Sequence, residues 1–196
     1  MDPRVALRAH FGFDEFRPGQ EAAVTAALDG RDVLVVMPTG AGKSLCYQLP
    51  ALCRDDLTLV VSPLVALMQD QVEALERIAP GKVGLVNAQA DAATNRATLD
   101  AAVRGDLRML YVAPERFSSR PFLDAMKETK VGLFVVDEAH FTKHKMNDSP
   151  WKWRKRTKKF KSFSNKSKIS KQNQERSYML NHDITTQRLL VRIWNN

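Results

Sequence analysis

A chain of 196 residues with 44% hydrophobic content is sized for one globular domain with room for an appendage. Its formal charge of +8 is unevenly placed: residues 1–140 carry 15 Lys+Arg against 19 Asp+Glu, and residues 141–196 carry 15 against 3, so only the C-terminal stretch has the charge of a nucleic-acid or anionic-surface binder. Two cysteines without zinc spacing, no apolar leader and no run of about 18 apolar residues argue against a disulfide framework, secretion or a membrane span, and the expected location is the bacterial cytoplasm or nucleoid.

Along residues 1–140 two patterns alternate. Helix Gln20–Leu28 is predicted first, followed by strand Val33–Met37 and helix Ser44–Cys53. Strand Leu57–Val61, helix Val65–Ile78, strand Val83–Val86 and helix Ala92–Val103 come next, then strand Met109–Val112, helix Ser119–Lys127 and strand Leu133–Val136. The strands are continuously apolar and β-branched, as strands covered on both faces are. Strand–helix alternation of this kind implies a parallel sheet in a three-layer α/β fold.

Two stretches carry chemistry. In "VLVVMPTGAGKSLCYQLP" (Val33–Pro50) a strand runs into the loop Thr39, Gly40, Ala41, Gly42 and then a helix. The glycines let backbone N–H groups turn inward towards a phosphate, and the helix N-terminus adds partial positive charge. Lys43 would reach the β- and γ-phosphates of ATP and the Ser44 hydroxyl would ligate Mg²⁺. Met37 stands where the strict G-x-x-x-x-G-K-[ST] pattern has its first glycine, so an ordinary strand–turn–helix with a chance Gly-Lys-Ser is the plain alternative. In "VVDEAH" (Val135–His140) Asp137 would hold Mg²⁺ and Glu138 would orient and deprotonate the attacking water. Two carboxylates after an apolar run are weak alone; following a phosphate loop in the same sheet they are strong.

"FGFDEFRPGQ" (Phe11–Gln20), "MPTGAGKSLCYQLPAL" (Met37–Leu52), "VVSPLVALMQDQV" (Val60–Val72), "LYVAPERF" (Leu110–Phe117) and "VVDEAH" together resemble the first motor-domain half of RecQ-type DNA helicases, superfamily 2 enzymes with paired RecA-like domains. Met37 is what that family shows at its position. The resemblance implies ATP-driven unwinding with 3′→5′ polarity on single-stranded or tailed duplex DNA. It also assigns roles. Phe13 would stack on adenine, with Arg17 and Gln20 on the base edge or the nucleotide; the alternative is a loop packed on the domain. Ser62, Pro63 and Leu64, and likewise Pro114, Glu115 and Arg116, resemble elements that contact the DNA strand. Taken alone, Ser62–Leu64 reads as a strand end and helix cap, and Arg116 as an intradomain ion-pair partner. His140 would couple hydrolysis to DNA. His140 and His144 lack a third ligand, so a metal site there is not expected.

The resemblance ends at His140, which sets the expected domains: residues 1–140, an incomplete RecA-like domain, and residues 141–196, a Lys-rich tail expected to be disordered. The family's aromatic-rich loop with its Gln-Trp-Gly signature, its second motor domain and its arginine finger are not found in these residues. Nor is the strand that, in the implied fold, sits between the strand leading to Lys43 and the strand leading to Asp137. Its loss leaves a gap, with three outcomes: partial unfolding, closure of the sheet, or a strand lent by the tail, for which Leu189–Trp194 is the one candidate. Read by itself, Gln187–Trp194 could form a short strand or helix, with disorder or a loosely attached helix favoured. The shift from Ala, Gly and Arg to Lys, Asn and Ile fits a join to unrelated sequence; basic residues interleaved with Trp151, Trp153, Phe160 and Phe163 also fit single-strand binding. The reading is therefore the ATP-binding portion of a RecQ-like helicase, with a non-catalytic nucleic-acid binder or another phosphate-loop NTPase or kinase as alternatives.

Overall fold

Alternate residues of three wholly buried strands point into two separate apolar clusters, and that alternation makes the layers. A computed structural model describes residues 2–38, 40–137 and 186–193, the last group as backbone. Its elements are α1 Pro3–Phe11, α2 Gln20–Leu28, β1 Val33–Pro38, α3 Leu45–Leu52, β2 Leu57–Val61, α4 Val65–Ile78, β3 Val83–Val86, α5 Ala92–Val103 and β4 Met109–Val112. A 3-10 turn at Pro114–Ser118, α6 Arg120–Glu128, β5 Val131–Val136 and β6 Thr186–Ile193 complete them. Val60, Met109, Tyr111, Leu133 and Val135 face a cluster completed by α2, α3 and α4 through Ala23, Cys46, Met68 and Leu75. Leu59, Val61, Leu110, Val112 and Phe134 face the opposite cluster, which Leu99, Phe122 and Met126 complete from α5 and α6. Each large side chain so buried contributes about 1.5–3 kcal/mol, and both sheet faces need apolar residues, which is why these strands read as unbroken apolar runs.

The sheet order is β1-β6-β5-β2-β4-β3. β5, β2, β4 and β3 pair in parallel, as the alternating pattern predicts. β6 lies between β1 and β5 and is antiparallel to both, pairing Val191 with Val33 on one side and with Val135 on the other. Residues 187–193 thus form a strand where the residues alone favour disorder or a loose helix, and of the three outcomes for the gap the one found is a strand lent by the tail. The physical reason is the gap itself: two facing rows of unpaired N–H and C=O groups each cost about 1–3 kcal/mol when buried, and a strand paired on both sides satisfies them. Trp194 and residues 141–185 lie outside the described residues.

The N-terminal helix α1 is an addition to the predicted elements. Asp2 caps it by accepting from the Arg4 N–H at 2.8 Å, Pro3 opens it, and Gly12 at φ +69° closes it on the Arg8 carbonyl. It packs Ala6 and Leu7 against Val24, Leu45 and Leu49, fixing the chain that leads to Gln20.

Candidate active site

The loop between β1 and α3 is held from the outside. Gly40 and Gly42 have φ near +80° and +78°, a conformation that a side chain strains. Around Gly40 nothing lies within 4 Å of a built Cβ, whereas at Gly42 a Cβ would stand 2.7 Å from the Gln20 amide nitrogen. Gln20 donates to the Gly42 carbonyl at 2.9 Å and accepts from the Arg17 N–H at 2.9 Å, and the Arg17 guanidinium donates to the Gly40 carbonyl at 3.0 Å. The sequence leaves Arg17 and Gln20 either on the nucleotide or in a loop packed on the domain; in the structure both bond to the phosphate loop, and Gln20 is buried.

At the other side of the loop the Lys43 ammonium meets the Asp137 carboxylate at 3.0 Å, with the two side chains only 5% and 7% exposed. Asp137 is fixed by its own N–H, which donates to the Val61 carbonyl at 2.9 Å. Sheet topology brings these distant residues together, since β6 spaces β1 from β5 and sets both ends on one edge. Phe13, 54% exposed, lines a cleft of about 440 Å³ together with Arg17, Gln20, Gly42 and Ser44. Thr39, Glu138 and His140 lie outside the described residues.

A second group leaves the same edge of the sheet. β2 and β4 are neighbours with Val61 beside Val112, so Ser62–Leu64 and Pro114–Arg116 emerge next to each other. Ser62 is buried, its hydroxyl accepting from the Leu64 N–H at 3.4 Å, while Leu64 is 44% exposed at the start of α4. Pro114 is buried and Glu115 exposed. Arg116 donates to the Asn87 carbonyl, so its intradomain partner is a backbone oxygen, where the sequence reading offered an ion pair.

The structure also joins side chains the motifs do not mark. Tyr47 and Tyr111 place their hydroxyls 3.4 Å apart, and the Gln48 amide donates to Tyr111 at 3.3 Å and to the Gln71 carbonyl oxygen at 2.5 Å. Burial pushes the Tyr111 hydroxyl up to about 12 and the Tyr47 hydroxyl well above the ordinary tyrosine value, so both stay neutral. The legible sign was a polar pair, Tyr-Gln, inside the apolar stretch "LCYQLPAL". Cys46, on the same helix, is a buried thiol that burial raises to about 11, inert rather than nucleophilic.

The DEAD/DEAH box helicase family profile matches residues 17–180. The chain belongs to the DEAD/DEAH box helicase family. That span runs past the last quoted motif at His140. Over 135 residues, 68% of its length, the chain is 45% identical to the ATP-dependent DNA helicase RecQ of Haemophilus influenzae and 44% identical to that of Pasteurella multocida. Those alignments cover 22% and 21% of the two relatives, so the chain spans about a fifth of their length. Its fold matches a solved structure, a hypothetical ATP-dependent RNA helicase from Sulfolobus tokodaii, with a TM-score of 0.60 over 73% of this chain and 42% of that one, at 21% identity. The three layers are those of a RecA-like helicase domain.

Proposed function

We propose that this helicase chain binds Mg·ATP at the β1–α3 loop and supplies the first half of a RecQ-like motor that unwinds DNA 3′→5′. The observation that supports it is the Lys43–Asp137 contact beside a positive-φ glycine loop, in a chain 45% identical to RecQ helicases over most of its length. Lys43 neutralises phosphate charge and, on binding, exchanges Asp137 for the β- and γ-phosphates. The backbone N–H groups from Thr39 to Ser44 hold the phosphate oxygens. Phe13 stacks on the adenine face, while Arg17 and Gln20 act on the nucleotide mainly by holding the loop in shape. Ser44 and Asp137 suit Mg²⁺, whose small shell takes one or two protein oxygens and leaves the rest to phosphate and water. The ion would supply charge neutralisation on the phosphates. Glu138 orients the attacking water, His140 links that step to DNA, and Ser62–Leu64 with Pro114–Arg116 contacts a single-stranded or tailed-duplex substrate. The place of action is the bacterial cytoplasm or nucleoid.

Titrating a fluorescent ATP analogue against wild type and Lys43→Ala tests the site. Binding is expected in the first and lost in the second; equal binding removes Lys43 from the phosphate site.

The charge asymmetry favours a second reading of the DNA contact, in which residues 141–196, with their net excess of basic side chains, contribute most of the affinity. Deleting them would also remove β6, so neutralisation is the better probe. Changing Lys155, Lys158, Lys159 and Lys161 to Gln should flatten log K against log salt by about 0.7 for each lysine engaged with a single strand. An unchanged slope assigns the contact to the Ser62 and Pro114 loops.

A further inference from the structure

Among the described residues three arginines are partly buried, and two of them hold a carboxylate: Arg54 meets Asp56 at 2.7 Å and Arg108 meets Asp55 at 3.2 Å. The third, Arg116, holds none. Its guanidinium donates to the Asn87 carbonyl, and its Nε is buried with no hydrogen-bond partner. A half-buried cation with an unsatisfied donor is short of an anion.

Arg116 lines a cleft of about 490 Å³ formed by the first turns of α5 and α6 and the end of β3. Val86, Leu99 and Phe122 line it with buried side chains, and Ala92, Ala93 and Pro121 with exposed ones. Its walls are fixed. The Asn95 amide donates to the Asn87 and Ala90 carbonyls at 3.0 Å each, and the Asn87 side chain accepts from the Gln89 and Ala90 N–H groups at 2.9 Å each. Phe122 packs edge to face on Phe117 with centroids 5.1 Å apart. Ser119, which also lines the cleft, makes no side-chain capping bond, so the first turn of α6 leaves donors there. A mostly apolar, pre-formed cleft of this size with a few polar groups has the form of a small-ligand site.

We propose that the α5–α6 cleft binds a small amphipathic monocarboxylate, its carboxylate on Arg116 and its apolar body against Val86, Leu99 and Phe122. One uncompensated guanidinium matches one negative charge, and its planar fork suits a carboxylate. The neighbouring cations add little, since Arg96 faces Asp100 at 3.1 Å and Arg120 faces Asp124 at 3.7 Å. Three buried apolar side chains offer a phosphodiester chain nothing to bond. β4 stands between β2 and β3, so Arg116, bonded to the residue after β3, is turned away from Ser62–Leu64. The site is additional to the nucleotide and DNA sites and needs neither of them.

The experiment titrates the full chain with 3-phenylpropionate and follows amide chemical shifts, with 3-phenylpropionamide as the uncharged match and inorganic phosphate as the bare anion. The acid should shift residues 86–99 and 116–123 with a Kd of about 1 mM or tighter, and the amide should bind about tenfold more weakly. Arg116→Gln should erase that difference. Ala93→Phe, at an exposed position, fills the cleft and should abolish binding of both while the rest of the spectrum stays in place. Equal binding of acid and amide by wild type, or no shift of these residues at about 10 mM acid, overturns the proposal. So does acid binding that survives Ala93→Phe. Phosphate that shifts the same residues as strongly as the acid overturns the amphipathic class in favour of a general anion site. Oligo(dT) that shifts them and competes with the acid assigns the cleft to the DNA path and overturns it too.

Discussion

Lys43 and Asp137 hold each other in a place where neither charge would rest alone. Taking an ammonium and a carboxylate out of water is costly, and the contact at 3.0 Å repays it only while both are present. Substitution at either position therefore does two things, removing a ligand group and breaking a buried ion pair. Asp137→Ala should lower unfolding free energy by about 3–5 kcal/mol, measured by urea denaturation. The double variant Lys43→Met with Asp137→Leu, which replaces the pair by apolar side chains, should recover most of that loss and still bind no nucleotide. If the double variant is as unstable as the single one, the broken ion pair is not the cause. A nucleotide that takes Lys43 must leave Asp137 another cationic partner, which is the electrostatic reason a divalent ion suits this position.

At the scale of elements, the strand that matters most is the one furthest away in sequence. β6 pairs Leu190 with Leu34 and Val136, and Val191 with Val33 and Val135, so its middle is bonded on both sides. Proline there removes a ladder donor, and the acceptor left unpaired should cost about 1–3 kcal/mol. Val191→Pro is expected to lower the melting temperature and to speed amide exchange in β1 and β5, with β3 and β4 little changed. Exchange unchanged in β1 and β5 would mean that the strand does not hold the sheet in solution. The predicted strands β2, β4 and β5 were legible within two residues because a strand buried on both faces has only apolar choices, and β1 was legible by its apolar, β-branched run although Leu34 and Val36 stand exposed. β6 was not, since "TQRLLVRI" mixes arginines with aliphatics behind a lysine-rich run, and its pairing is set by a gap 50 or more residues away. α1 was legible in principle through Asp2, Pro3 and Gly12, but its apolar face is short. In the site, Lys43, Ser44 and Asp137 announced themselves by motif. The bracing done by Arg17 and Gln20 did not, because a hydrogen bond to a loop carbonyl leaves no spacing in sequence.

For the whole molecule, the question is whether these 196 residues turn over ATP and displace a strand. In the function proposed above they contribute one wall of the γ-phosphate site, through Lys43, Ser44 and Asp137. The chain spans about a fifth of the RecQ proteins it matches, and what the rest of those proteins supplies does not come from these residues. In the family it resembles, an arginine finger from a second motor domain faces the transferred phosphate, and such a residue is worth about 10³–10⁵ in rate. Closure between two domains also excludes water and commits the nucleotide, and repeated opening and closing is what moves a motor along a strand. One RecA-like domain by itself can bind and hold a nucleotide but does not supply that closure. The sheet, completed by β6, gives a folded platform on which this can be measured. Phosphate release on a 3′-tailed duplex is therefore expected to stay at the level of the Glu138→Gln variant, and no strand displacement is expected, while the fluorescent nucleotide still binds. Phosphate release that DNA stimulates and that Glu138→Gln abolishes would show that one RecA-like domain is enough for hydrolysis here.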